Sequence, residues 1–394
     1  MSAQTLLTFN AGSSTVKIGL FEHRSGGPAK IARGVIDFRH APLTFRVTEG
    51  PERPEIELRA KPEEDLTGIM AETFAGLRRY FEIGEVVAIG HRVVHGGDVF
   101  DGPVRLDEAA IEAIAALTAL APLHQPQGLR LIRAIRNLRP DMVQTASFDT
   151  AFHRTNSPIV RRFAIPRRLH EEGIKRYGFH GLSYKYIAGA LARLAPEKAR
   201  GKVVAAHLGS GASLCALENG ISRDVSMSFT TLDGIPMATR CGALDPGVLL
   251  HLLGPLGLPL AEVEDILYHR SGLLGVSGIS ADSRELLQSS APEAREAIDL
   301  FTLRIAGEIA RLAATLGGLD AIVFTAGIGE NQPQIRAGVC ARLAWLGIDL
   351  DPTANAENAM CVTRPESRTA AFVVPTDEEQ VLAEEALFVC GGRV

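Results

Sequence analysis

Arg92 and Arg240 lie in apolar or small-residue settings, GHRVVHGG and PMATRCGA. A guanidinium keeps its charge and is costly to bury unpaired. Each therefore reads as the holder of a carboxylate or a transferring phosphoryl group, or as half of a structural salt bridge to an Asp. His180, in RYGFHGLSY, stands between an aromatic and a Gly turn, where a satisfied structural His is the alternative to a donor. Asp149 closes a strand-like run in SFDTAFH and reads as a ligand residue or as a helix N-cap. Two Gly/Ser turns join these groups: LLTFNAGSSTVKIGLFE from Leu6 to Glu22, and VVAAHLGSGASLCALEN from Val203 to Asn219. In a common register Asn10 falls on His207, Gly12 on Gly209 and Ser13 on Ser210. Gly brings the backbone close to an anion, and turn N–H groups and Ser hydroxyls donate to phosphate oxygens. Either turn alone also fits a plain structural turn. Two in register point to a nucleotide held in a cleft between two related domains. Lys17 could reach a phosphate or be a solvated surface lysine. A third Gly turn, Gly327-Ile328-Gly329-Glu330-Asn331, runs from a buried strand toward a helix-like segment and could face a ligand.

The elements that must carry these groups alternate between strand and helix, which favours an α/β fold. Leu6–Phe9 and Val16–Phe21 read as the arms of the first hairpin, Lys202–His207 and Leu214–Glu218 as those of the second. The stretch from His40 to Glu64 is polar and dotted with Pro. Leu66, Ile69, Met70, Phe74 and Leu77 recur at helical spacing. Val86–Gly90 reads as a short buried strand delivering His91 and Arg92 at its C-terminal end, where ligand residues of open α/β sheets sit. A helix is expected from about Glu108 to Leu120, then a loop, APLHQPQG, carrying His124. Val143–Phe148 and Ala321–Thr325 read as strands. Glu296–Leu316 reads as a helix closed by Gly317-Gly318, and a last helix spans about Glu378–Val389. The expected domains are 1–149 with about 384–394, and 150–383.

Length 394 suggests two to three domains. The net charge of −5 offers no electrostatic case for nucleic acid or an anionic membrane. No apolar run is long enough for a transmembrane helix, and the first residues lack a signal-peptide pattern. Five scattered cysteines without a CxxC pair argue for free thiols in a reducing, cytoplasmic setting and against zinc. No G-x-x-x-x-G-K-[ST], G-x-G-x-x-G before a helix, or G-x-S-x-G is present.

In order and spacing, FNAGSSTVK, GHRVVHGG, APLH, FDTAFH, RYGFHG, HLGSGAS, MATR, DSR, FTAGIGEN and PTDEE resemble the acetate kinases over essentially the full length. That family belongs to the superfamily of acetate and sugar kinases, Hsp70 and actin. The resemblance implies two ribonuclease-H-like domains, an actin-like ATPase fold, with a central nucleotide cleft. It implies reversible phosphoryl transfer from ATP to acetate, giving acetyl phosphate and ADP, with Mg²⁺ (Mn²⁺ substituting), in a homodimer. Carried over by position, Asn10 and Glu378 serve the Mg²⁺ site and Lys17 the ATP phosphates. His207, Leu208, Gly209, Ser210 and Gly211 cradle the phosphates. Asp282, Ser283 and Arg284 form the adenosine pocket with Gly327, Ile328, Gly329, Glu330 and Asn331. Arg92 binds the acetate carboxylate within an acyl pocket of Val94, Leu123, His124, Phe179 and Thr231. His180 and Arg240 stabilise the transition state, and Asp149 is the family's catalytic acid. A short-chain carboxylate is already an anion at pH 7, so no base is needed to activate it. The task is to cancel anion–anion repulsion. That assigns Asp149 to orienting Arg92 or a metal-bound water.

The sequence departs from the family at Ser210 (usually Asn), Thr231 (usually Pro), Gln125 (usually Asn), and Ala238, Cys241 and Ala243 in the MATRCGA segment. Thr231 brings a hydroxyl toward the substrate methyl, and a pocket discriminates one methylene by only about 1–3 kcal/mol. Propionate or another short-chain acid is the alternative substrate, and a weakly active divergent member a further reading. A nucleotide switch of the actin or Hsp70 kind is the alternative of a different class. It would have no use for Arg92, Arg240 and His180 around an acyl pocket.

Overall fold

The computed structural model describes residues 4–12, 15–60, 66–122 and 124–391. Its contacts divide the chain into two compact units, Met1–Phe152 with Asp377–Val394, and His153–Thr376. The last helix therefore joins the first unit from its first residue, rather than from 384, because its apolar side lies on that unit's sheet.

The first unit is built on eight strands: β1 (Gln4–Ala11), β2 (Thr15–Arg24), β3 (Gly27–Asp37), β4 (Thr44–Glu49), β5 (Glu55–Glu57), β6 (Glu85–Val93), β7 (Val104–Arg105) and β8 (Gln144–Phe148). Their order is β5-β4-β3-β2-β1-β6-β8-β7. β1 to β5 form an antiparallel meander, whereas β6 and β8 run parallel to β1. An alternation of buried and exposed positions is absent from β1 because both its faces are covered; every residue from Thr5 to Asn10 is buried. Phe9 and Leu7 point toward Ile69, Met70 and Leu77 of the helix Leu66–Tyr80 and Leu131 and Ile135 of the helix Gln125–Leu138. Leu6, Phe21 and Ala88 meet Ala383 and Ala386 of the C-terminal helix Glu378–Val389 on the opposite face. The Pro-dotted stretch is not irregular throughout: it contains β4 and β5, and Phe45 and Val47 of β4 join the core.

The second unit carries β9 (Lys202–Leu208), β10 (Ala212–Glu218), β11 (Ile221–Val225), β12 (Ala321–Thr325) and β13 (Ala370–Val373), in the order β11-β10-β9-β12-β13. β9, β10 and β11 are antiparallel, and β12 and β13 run parallel to β9. The 25-residue helix Pro292–Leu316 turns Phe301, Ile305, Ile309 and Leu312 inward and ends at Gly317 in the left-handed conformation. A three-strand meander followed by two parallel strands is thus present twice, in β3-β2-β1-β6-β8 and in the second sheet. This is the ribonuclease-H-like plan, doubled as in actin-like ATPases.

The two hairpins share their first arms but not their second. Asn10 pairs with Lys17, and His207 with Ser213. The first turn is one residue longer, so Lys17 corresponds to Ser213, not to Leu214. Ser13, the residue set against Ser210, lies outside the described residues.

Candidate active site

In the first unit, β1 carries the buried Asn10 near its end, and β6 extends through His91 and Arg92 to Val93, beyond the Gly90 boundary expected. β8 ends one residue before Asp149, whose N–H is tied to the Val93 carbonyl at 3.1 Å. Parallel pairing places Arg92 opposite Ser147, so its side chain reaches the buried Asp149. The guanidinium grips that carboxylate as a fork: Nε donates to Oδ1 at 3.0 Å and Nη2 to Oδ2 at 2.6 Å. Nη1 donates to Asn10 Oδ1 at 3.0 Å and lies 4.0 Å from Glu378 Oε2. Burial alone would lower the pKa of Arg92. The carboxylates of Asp149 and Glu378 outweigh that and raise it, so Arg92 is a fixed cation. One N–H on each terminal nitrogen has no hydrogen bond among the described residues.

Glu378 opens the C-terminal helix, which Asp377 caps by accepting from the Gln380 N–H at 3.1 Å. Asp377 also pairs with Lys30 and, at 2.7 Å, with Arg33. Arg33 reaches Glu379 at 2.8 Å, so β3 anchors the helix start. Asn10 Nδ2 donates to Glu378 Oε2 at 2.7 Å and to Glu379 Oε1 at 2.9 Å. Among the described residues, no group of three or more His, Cys, Asp or Glu side chains forms a metal cage. Asn10 thus turns its amide nitrogen to the two carboxylates and its oxygen to Arg92. The Glu378 carboxylate is a ligand of the oxygen type that suits Mg²⁺, which keeps several waters and shares substrate phosphates. Lys17 is exposed on β2, cross-strand from Asn10. Val94 is buried in this unit. His124 is the residue before the helix Gln125–Leu138 rather than part of a longer loop. The Gln125 side chain turns inward and donates to the His95 carbonyl at 2.8 Å, so its departure from the family's Asn serves packing. Leu123 lies outside the described residues.

In the second unit, His180 adopts the left-handed conformation (φ 58°) at the start of the helix Gly181–Leu194. The loop before it is held from below: buried His153 contacts the Phe179 carbonyl through Nε2 at 2.9 Å and Ser222 through Nδ1 at 2.8 Å. Burial pushes the pKa of His153 down to about 4, so it serves as a neutral prop. Phe179 itself is buried. The His180 ring stacks on His207 with centroids 4.2 Å apart. Its Nδ1 lies 2.8 Å from Ser213 Oγ, and His207 Nδ1 lies 2.8 Å from Ser183 Oγ. The turn from Leu208 to Ala212 is closed by the Gly209 N–H donating to the Gly211 carbonyl at 3.2 Å. Ser210 is exposed and accepts through its carbonyl from the Ala238 N–H.

A Cβ placed on Gly211 would lie 3.7 Å from His180 Nε2 and 3.9 Å from Arg240 Nη1. Two donors thus flank one point that the glycine leaves clear. Arg240 donates from Nη1 to the Thr231 main-chain carbonyl at 3.1 Å and has no carboxylate partner among the described residues. Burial lowers its pKa and Tyr268 partly opposes this, yet a guanidinium remains charged at neutral pH. The MATR turn is strapped to the helix Gly272–Ser277: the N–H groups of Ser271, Leu273 and Leu274 donate to the carbonyls of Thr239, Met237 and Ala238. Gly272, at φ +62°, allows that approach; a Cβ there would lie 2.1 Å from the Met237 carbonyl oxygen. The strap orients Arg240 although Ala243 supplies no acid.

The Gly327–Asn331 segment is itself a short helix, Ala326–Asn331, rather than a Gly turn leading to one. Glu330 folds back and accepts from the N–H groups of Ala326 at 2.8 Å and Thr376 at 3.2 Å. Asn331 donates to the Gly327 carbonyl at 3.0 Å; Ile328 is half-buried and Gly329 buried. Asp282 caps the helix Ser283–Gln288 by accepting from the Arg284 N–H at 2.8 Å, and the hydrogen bonds from Arg284 lower its pKa. Ser283 is buried and accepts from Gln332 Nε2 at 2.8 Å, which links these two segments.

Several residues of this arrangement escape sequence reasoning. Fully buried Arg336 gives all five N–H donors to the carbonyls of Gly329, Glu330 and Asn355 and to the side chains of Asn355 and Asn358, at 2.6–3.0 Å. Its signal is an Arg on the same helical face as Val339 and Cys340. Ser213, Ser183 and Tyr184 lie within HLGSGAS and RYGFHGLSY, yet sequence reasoning gave them no role beside the two imidazoles.

The family model of the Acetokinase family matches residues 5–384. The acetate kinase of Rhodopseudomonas palustris (strain TIE-1) is 46% identical over 400 residues, covering 99% of this chain and 100% of that protein. The acetate kinase of Rickettsia akari is 40% identical, covering 97% and 98%. A propionate kinase from Francisella tularensis superposes with a TM-score of 0.90 at 34% identity, covering 98% of this chain and 100% of that one. The Porphyromonas gingivalis acetate kinase gives 0.88 at 34%, with the same coverage. With a full-length family match and relatives of this identity, the chain belongs to the acetokinase family.

Proposed function

We propose that the chain transfers the γ-phosphoryl group of ATP to acetate, reversibly, giving acetyl phosphate and ADP. The observation that carries this reading is the convergence of His180 Nε2 and Arg240 Nη1 on the clear space at Gly211, with no carboxylate among the described residues neutralising Arg240. A site of that kind awaits an anion rather than a water. In the forward step a carboxylate oxygen forms a bond to the γ-phosphorus while the bond from phosphorus to the β,γ-bridging oxygen breaks, its electron pair leaving on ADP. The acid is already ionised, so no proton moves.

Arg92 binds the acid's carboxylate through its unengaged N–H groups, and Asp149 holds the guanidinium in place. His180 and Arg240 donate to phosphoryl oxygens as charge develops there. Main-chain N–H groups between His207 and Gly211 cradle the phosphates, and Lys17 adds a flexible cation. Asn10 and Glu378 would hold Mg²⁺, which would offset the negative charge of the phosphates. Asp282, Ser283 and Arg284, with Gly327, Ile328, Gly329, Glu330 and Asn331, take the adenosine. Val94, Leu123, His124, Phe179 and Thr231 set the acyl size.

The protein works in the cytoplasm as a homodimer. Support for an apolar partner surface comes from the helix Pro246–Leu253, which has no buried residue, and from Leu250, Leu256 and Leu260, which are 70%, 57% and 63% exposed. Soluble monomers rarely display such a patch uncovered. Sedimentation at micromolar concentration should give twice the chain mass; a monomer would remove the assembly from the reading.

A hydroxamate assay with ATP, Mg²⁺ and acetate, propionate or butyrate tests the activity. Acetate should give the highest kcat/KM. Equal rates with all three would remove the preference for acetate. No acyl hydroxamate with any of them would leave the nucleotide switch in its place.

A further inference from the structure

We infer that Tyr184 and Ser213 are positioning residues that hold His180 in the tautomer protonated on Nε2. The inference rests on the proposed role of His180 at the phosphoryl group. Tyr184 lies one helical turn after His180, its N–H donating to the His180 carbonyl at 3.1 Å, and it is fully buried. Its hydroxyl is 2.5 Å from Ser213 Oγ. Ser213 is also fully buried, and the same oxygen is 2.8 Å from His180 Nδ1.

A serine hydroxyl has a single proton to give. A phenol is the more acidic of the two hydroxyls and so the better donor, and the short contact fits donation from Tyr184 to Ser213. The serine proton is then directed at His180 Nδ1. A neutral imidazole that accepts at Nδ1 carries its proton on Nε2. Nε2 is the atom that shares the clear space at Gly211 with Arg240 Nη1. The relay therefore aims an N–H, not a lone pair, at the position an anionic oxygen would take. The ring cannot easily turn to exchange its nitrogens: His207 lies flat against it at 4.2 Å and is itself held by Ser183. Without the phenol, Ser213 is free to accept from Nδ1–H, which leaves a lone pair on Nε2 facing the phosphoryl group.

The test is ¹⁵N NMR of the imidazole-labelled full chain, the His180 signals being identified by their loss in His180→Gln, combined with steady-state kinetics. In the wild type, His180 should show a protonated Nε2 and an unprotonated Nδ1. Tyr184→Phe should shift the balance toward Nδ1–H and lower kcat about tenfold, below the roughly hundredfold or greater loss expected when such a donor is removed outright. Both KM values should change by less than about twofold, as for an interaction made in the transition state. His180→Gln puts an amide N–H near the Nε2 position without any tautomer to choose, so adding Tyr184→Phe to it should cost nothing further. A wild-type His180 protonated on Nδ1, an unchanged tautomer in Tyr184→Phe, or an equal loss of kcat in the His180→Gln background would each overturn the inference. If His180→Ala instead keeps full activity while Nε2–H is observed, the relay stands and the proposed role of His180 fails.

Discussion

Replacing Asp149 by Asn keeps the shape of the side chain and removes its charge. In the native site Asp149 accepts two donors from Arg92, at 3.0 and 2.6 Å, inside a buried setting. An Asn has one acceptor oxygen, and its NH₂ would confront a guanidinium N–H. Arg92 keeps one bond to that oxygen, together with the Asn10 oxygen at 3.0 Å and the more distant Glu378 at 4.0 Å. Breaking a buried pair from one side costs about 3–5 kcal/mol. Glu378 offsets part of this, so about 3 kcal/mol of the first unit's stability should be lost, which for a unit of this size lowers Tm by about 6–12 °C. The freed guanidinium should also misplace the acid, lowering kcat/KM for acetate by about tenfold to a hundredfold. Scanning calorimetry and the hydroxamate assay read the two effects separately. A Tm within about 1 °C of wild type, with unchanged acetate kinetics, would refute both the energetic weight given to the fork and the orienting role of Asp149.

Two further outcomes follow from the same physics. Gly272→Ala should lower kcat at least tenfold while the first unit melts unchanged, because a Cβ 2.1 Å from the Met237 oxygen must push the MATR turn, and Arg240 with it, out of place; unaltered kcat would refute the strap. Burial lowers the pKa of His91, His95 and His153 to about 4. Their folded pKa lies below the unfolded value near 6.5, so the unfolded chain binds more protons between those limits. The stability they contribute is complete above about pH 6.5 and falls as pH drops toward 4, by up to about 1.4 kcal/mol per pH unit for each. Urea midpoints should therefore decline between pH 7 and pH 5, and a flat profile would contradict neutral burial of these rings.

What the sequence determined by itself was the repeated strand plan and the identity of the chemical groups. Continuous apolar runs such as Ala321–Thr325 and the striped helix ending at Gly317 are local patterns, and local periodicity is enough to read them. The family motifs put Arg92, Arg240 and His180 forward as candidates because order along the chain is itself specific. Some local features were misjudged: Gln125 starts a helix, the Gly327–Asn331 segment is one, and the first hairpin turn is a residue longer than the second. Only tertiary structure decided which charges are spent and which stand ready. Arg92 and Arg240 look alike in sequence, yet parallel pairing of β6 with β8 brings Asp149 to the first, while the second meets the Thr231 carbonyl and the Met237 sulfur and has no carboxylate partner among the described residues. Likewise nothing in the string RYGFHGLSY announces that Tyr184 reaches His180 through Ser213, because that contact is closed across a strand some thirty residues away. Electrostatics and proton placement act over a few ångströms in space, and sequence separation carries no record of those distances.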